Sequence, residues 1–217
     1  MSIISSIKNI KDEIPDKVRL IAVTKKVPVE FMRQAYETGI RDFAENRLQD
    51  ALEKQEQLQD LPNICWHFIG HLQANKAKKV LDNFHWIHSV DCLSLAERLN
   101  RLVENETVSP QLCLQIKPLS DPNKYGWHID QLWHDLPQLT QLTNLKIRGL
   151  MTILPLGLSE EEIFQAFSVI KNLKMKINQE SSLSLTELSM GMSEDYQYAI
   201  NAGSTMIRLG RILFEAK

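Results

Sequence analysis

The sequence predicts an α/β protein, a single (β/α)8 TIM barrel spanning residues 1–217. Three observations carry this expectation. Short apolar runs alternate with longer amphipathic ones along the chain. The apolar runs number eight. The length, 217 residues, suits an α/β barrel, which runs as one domain of about 200–250 residues. An open doubly wound sheet is the alternative packing of the same units.

The strands are expected at VRLIAV (18–23), RDFA (41–44), CWHFI (65–69), FHWIHSV (84–90), QLCLQI (111–116), KIRGLMTI (146–153), TELSM (186–190) and TMIRL (205–209). Helices are expected between them. One covers 29–38 and stops at Gly39, a good C-terminal residue. Another covers 46–60, and a third 73–82. A helix from about residue 95 opens on SLAE, where Ser94 and Glu97 form a capping box; SEEE (159–162) opens another in the same way. Shorter helices are expected at 128–137 and 194–202. PLSDPNKYGWH (118–128) reads as a loop, and 118–145 carries the least secondary-structure signal.

Composition narrows the function. Hydrophobic residues make up 43% and charged ones 24%, ordinary for a globular chain. A net charge of −2 gives no basic field for nucleic acid or an anionic membrane. Cys65, Cys92 and Cys113 are odd in number and far apart, so they read as reduced thiols of a cytoplasmic protein. The start, MSIISSIKNIKDEIP, does not read as a signal peptide, and no window reaches the roughly 18 apolar residues of a membrane span. No metal site is expected. His67 and His71 lie four apart on a strand, not a helix, and neither an HExxH pattern nor a cysteine pair is present. His67 reads as a core or pocket residue and His71 as a mouth residue. NKAKK (75–79) and KQEQLQD (54–60) read as solvated helix faces.

In a barrel, chemistry sits at the carboxyl ends of the strands. The first of these ends is LIAVTKKVPV (20–29), with two adjacent lysines. Side chains alternate along a strand, and barrel interiors favour bulky branched residues. Ile21 and Val23 therefore look inward and Ala22 looks towards the helices. That places Lys25 in the mouth and Lys26 on the rim. Enclosure in a semi-apolar mouth favours the neutral form of an amine, which condenses with aldehydes.

In LSMGMSEDYQYAINAGSTMIRLG (188–210), Gly191 and Ser193 precede a short helix, and Gly203, Ser204 and Thr205 precede the last strand. Amides and hydroxyls there could cradle a phosphate. The bland reading is a capped helix and an ordinary turn. Arg208, within the last strand, needs a partner if buried. Asp195 or Glu45 would serve, or a ligand. A strand-1 lysine, a phosphate cradle and a strand-8 arginine together suit pyridoxal 5'-phosphate (PLP).

The stretches LIAVTKKVPVE, RDFAENRLQDALEK, WHFIGHLQANKAKKV, SVDCLSLAERLN, RGLMTI and LSMGMSEDYQYAINAGSTMIRLGRILF, in this order over about 18–214, resemble the successive signatures of the YggS/PROSC family of PLP homeostasis proteins. The resemblance implies a barrel like the N-terminal domain of alanine racemase, with PLP held as an aldimine on Lys25. It places Asn46 near the cofactor, Met190, Ser193, Gly203, Ser204 and Thr205 around the phosphate with Gly210 beside them, and Arg208 at the pyridine nitrogen. Ala44 stands where the family has glycine, Thr24 where it has serine, and the end RILFEAK lacks the usual tail.

An arginine at the pyridine nitrogen disfavours its protonation and weakens PLP as an electron sink. The expected function is therefore a PLP carrier in amino-acid and keto-acid balance, with no catalytic residues. Its partners would be PLP and PLP-dependent apoenzymes, and a monomer is expected. A PLP-dependent racemase and a phosphate-binding barrel enzyme without PLP are the rivals.

Overall fold

A computed structural model describes residues 2–107 and 109–215; Ala216 and Lys217, in the atypical tail, lie outside them. The strands are β1 (Arg19–Val23), β2 (Asp42–Glu45), β3 (Cys65–Phe68), β4 (Trp86–Val90), β5 (Gln111–Lys117), β6 (Trp127–His128), β7 (Lys146–Met151), β8 (Glu187–Ser189) and β9 (Met206–Leu209). The sheet runs β4-β3-β2-β1-β9-β8-β7-β5, every pair parallel, and β4 also pairs with β5. That last pairing closes an eight-stranded barrel and excludes the open sheet. The two-residue β6 adds only to the carboxyl end of β5.

Helices α2 (Val29–Glu37), α3 (Leu48–Gln57), α4 (Ala77–Asn83), α5 (Leu93–Leu102), α6 (Ile129–Leu139), α7 (Glu160–Glu180) and α8 (Tyr196–Asn201) fill the crossovers. Two further helices, α1 (Ile3–Glu13) and α9 (Arg211–Phe214), were not expected; they pack on each other. Ser159 and Glu162 make the expected capping box at α7. At α5 the expected box is absent. The helix starts two residues earlier, at Leu93, behind Cys92, which puts Ser94 inside the first turn.

Two apolar layers hold the fold. The larger lies between sheet and helices and includes Ala22, Phe43, Phe68, Ile87 and Ile207. The smaller fills the barrel with Ile21, Val23, Ala44, Trp86, Cys113, Met151 and Met206. Strand alternation sorts neighbours between these layers. Each fully buried large side chain contributes about 2 kcal/mol, so the outer layer dominates stability. The inner layer is also interrupted by polar groups: His67, His88, Ser189 and Arg208 are all buried.

Candidate functional site

Parity along β1 fixes the first site residue. Ile21 and Val23 are inside the barrel and Ala22 outside, as alternation predicts. Lys25 continues the inward face and lines a cavity of about 560 Å³ at the carboxyl mouth. Lys26 does not line it and turns the chain away with a left-handed φ of 61°. Both lysines are exposed, so the enclosure expected for Lys25 is corrected: its amine meets solvent at the mouth.

The turn is braced from the residue before it. Thr24 Oγ1 donates to Glu45 Oε1 at 2.7 Å. Lys54 Nζ, on α3, donates to Thr24 O at 2.6 Å and to Glu45 Oε1 at 2.7 Å. Glu45 is completely buried, and its Oε2 has no partner among the described residues. This lock ties β1, β2 and α3 together directly before Lys25.

Asn46 follows β2 and lines the same cavity. Its backbone is crowded by Gly70, where an added Cβ would stand 2.0 Å from Asn46 O. Only glycine lets the end of β3 pass so close. Arg208 reaches the cavity from β9 while remaining buried. Its Nη1 donates to Ser189 Oγ at 2.7 Å and its Nη2 to Thr152 O at 2.8 Å. Burial pushes the guanidinium down to about 10, against the opposing charge of Asp195. The expected ion pair is corrected. Glu45 is taken by Lys54, and Asp195 Oδ1 accepts from Met192 N at 2.6 Å, while burial raises its carboxyl. Arg208 is satisfied by neutral oxygens instead.

Of the residues expected to hold a cofactor, Lys25, Asn46, Ser193, Arg208 and Gly210 line the cavity. Gly203, Ser204 and Thr205 do not. Thr205 O accepts from Arg19 N at 2.8 Å, at the start of β1, and Ser204 Oγ is spent on the carbonyls of Leu188, Met190 and Met206. Residues before a parallel strand lie at its amino end. The four residues of β9, at about 3.3 Å each, set this turn roughly 13 Å from the mouth. Met190 is corrected too: it is buried in the layer between sheet and helices. Sequence reasoning missed the loop after β7 (153–158), which lines the cavity together with Met192, Asp195 and Arg211. Their position just past strand ends was the available signal.

Beside the mouth, His71 Nδ1 pairs with Asp91 Oδ2 at 2.9 Å, and the Tyr125 ring stacks on His71 at 3.7 Å. Among the described residues one group could hold a metal ion: Asp42, Cys65 and His67 bring ligand atoms within 4.8 Å of one another. Arg19 Nε lies 3.5 Å from Asp42 Oδ1, and His67 Nε2 meets the same oxygen at 2.8 Å. A cation there would displace a hydrogen bond and face an arginine, so the trio is a hydrogen-bonded cluster.

Fold and cavity together define a class, the barrel of the alanine racemase N-terminal domain; that family model matches residues 2–217. Within it, the chain belongs to the family of pyridoxal phosphate homeostasis proteins. It is 59% identical to the pyridoxal phosphate homeostasis protein of Synechocystis over 93% of this chain and 92% of that one. Identity to the Escherichia coli K12 protein of the same description is 33%, over 94% and 87%. PipY of Synechococcus elongatus, solved with PLP bound, superposes with a TM-score of 0.94 at 46% identity, covering 98% of this chain and 100% of that one. Alanine racemase of Clostridium difficile shares the fold at 15% identity and a TM-score of 0.77; the chain spans 58% of its length.

Proposed function

We propose that this protein binds pyridoxal 5'-phosphate in the mouth cavity and serves its homeostasis, with Lys25 Nζ as the point of covalent attachment. One observation carries the reading: the amine of Lys25 and the guanidinium of Arg208 converge on one cavity, in a chain 46% identical to a relative solved with PLP. The residues fit the group. The cavity volume, about 560 Å³, suits a small cofactor. Lys25 Nζ, the Asn46 amide and the Ser193 hydroxyl are engaged by no hydrogen bond among the described residues, so all three are available to a ligand. When bound, PLP supplies an aldehyde that amines attack and a pyridine ring that accepts electrons.

Lys25 would hold the aldehyde end, Asn46 and Arg208 would orient the ring, and Ser193 with the Gly210 backbone would receive the phosphate. A cationic Arg208 beside the ring nitrogen would disfavour its protonation, which would favour holding the cofactor over carbanion chemistry. The protein is therefore a carrier, not an enzyme, and releases PLP to apoenzymes of PLP-dependent enzymes. Residues 1–217 act as one domain, as a cytoplasmic monomer; the three cysteines are free thiols, and no helix among the described residues is long and apolar enough to cross a membrane.

The test is the visible absorption of purified protein, followed by borohydride reduction and peptide mapping. A label on Lys25, lost in Lys25→Ala and kept in Lys26→Ala, is expected. A colourless protein after incubation with PLP, or a label on another residue, refutes the reading. Turnover of alanine lost in Lys25→Ala would replace the carrier with a racemase.

A further inference from the structure

The barrel interior holds a continuous hydrogen-bonded column that the cofactor reading touches only at Arg208. It runs from Arg208 Nη1 to Ser189 Oγ (2.7 Å), His88 Nδ1 (2.8 Å), across the ring to His88 Nε2, His67 Nδ1 (2.9 Å), across again to His67 Nε2, and Asp42 Oδ1 (2.8 Å). Five strands contribute one residue each: β9, β8, β4, β3 and β2. One end lies at the mouth. The other lies at the amino end of the barrel, where Arg19 Nε flanks Asp42 at 3.5 Å.

The two ends dictate the direction of every bond between them. A guanidinium has only N–H donors, so Ser189 Oγ accepts from Arg208. Ser189 Oγ has no other partner among the described residues, so its proton goes to His88 Nδ1. His88 then carries its proton on Nε2 and gives it to His67 Nδ1. His67 likewise carries its proton on Nε2 and gives it to Asp42, a carboxylate with only acceptors. Cation and anion demand the same sense, and no atom of the column is left without a partner. Burial holds both imidazoles below their ordinary range, so both are neutral, as this pattern requires. Burial alone would raise the Asp42 carboxyl, but the N–H of His67 and the charge of Arg19 hold it below the usual range.

We propose that this column is a polarised relay in which Asp42, at the far end of the barrel, is a positioning residue for Arg208. In a reversed column Ser189 Oγ would accept from His88 as well as from Arg208, and its own buried proton would be left without an acceptor beside the guanidinium. The acceptor-only Asp42 prevents that reversal and keeps Arg208 anchored at the wall of the cavity it lines. The polarity of the column stands on the hydrogen bonds alone; its effect on a ligand rests on the cofactor reading above.

Two-bond 1H–15N spectra of the histidine rings in the full chain test it. Both His67 and His88 are expected as Nε2–H tautomers. Asp42→Asn introduces a side chain that donates as well as accepts. It is expected to mix the Nδ1–H tautomer into both rings. It is also expected to weaken binding of pyridoxine 5'-phosphate about fivefold, the worth of one hydrogen bond at Arg208. That probe has no aldehyde, so it reads Arg208 without Lys25 chemistry. Nδ1–H tautomers in the unaltered protein overturn the relay. Tautomers that mix without a loss of affinity, or affinity lost with tautomers fixed, overturn the positioning role. If Asp42→Asn does not fold, His88→Gln, whose amide also works in both senses, takes its place for the affinity and for the His67 tautomer. Failure of the unaltered protein to bind pyridoxine 5'-phosphate would sink the cofactor reading while the tautomers still decide the column.

Discussion

Acidifying the protein from pH 7 to pH 5.5 is expected to cost the fold about 1.25 kcal/mol through His88 and up to as much again through His67. Both rings are wholly buried, and burial pushes both below the ordinary histidine range, His88 far below. In the unfolded chain each titrates near 6.5. Below that value the unfolded state binds protons that the folded state refuses. Stability is therefore full above about pH 6.5 and is lost as the pH falls. Between pH 7 and pH 5.5 a ring that stays neutral in the fold forfeits about 1.25 kcal/mol, and two forfeit twice that. His85, at the surface, shifts in the same direction and adds a smaller amount. Asp42 acts in the same direction in a lower window: its carboxyl is held low, so its contribution persists here and is lost as the pH falls through the carboxylate range. Urea denaturation at half-unit pH steps reads this directly. His88→Gln should remove half of the slope or more. A stability curve flat from pH 7 to pH 5.5, or an undiminished slope in His88→Gln, refutes the neutral-column reasoning.

Lys54→Met is expected to cost about 3–5 kcal/mol in the same assay, because it leaves the buried Glu45 carboxylate without its cation. Adding Glu45→Gln should recover a large part of that loss; no recovery would show that Lys54 acts by packing alone. Gly70→Ala should destabilise by more than about 2 kcal/mol and perturb any spectrum that depends on Asn46, since its Cβ would collide with Asn46 O. A neutral Gly70→Ala would contradict the close approach. Lys26→Gly should be neutral or stabilising by up to about 1 kcal/mol, as glycine accepts the left-handed backbone that lysine resists. The absorbance of bound PLP should not change; a loss of colour would move Lys26 into the site.

Much of the barrel could be read from the sequence because its strands are buried on both faces and separated by regular amphipathic stretches. Lys25 could be chosen over Lys26 because Ile21, Ala22 and Val23 differ in size in the order an inward–outward alternation requires. Helix α1 was missed although Ile3, Ile7, Ile10 and Ile14 mark one face of a helix; lysines and acids between them diluted the signal. Gly203–Thr205 lie away from the mouth cavity for a directional reason. These residues look like a cradle in composition, but they precede β9 and so belong to the opposite end. The column was illegible because Ser189 and His88 stand 101 residues apart, and only the barrel register brings them together.

The same column bears on how this family's sequences can drift. A methyl exchanged between sheet and helices is absorbed by its neighbours, since dispersion has no preferred direction. A donor exchanged inside the barrel leaves an acceptor stranded on the next strand. Changes at Asp42, His67, His88, Ser189 and Arg208 are thus tolerated only in matched sets. An alignment of relatives should show them either all kept or replaced together, while the outer layer varies one residue at a time.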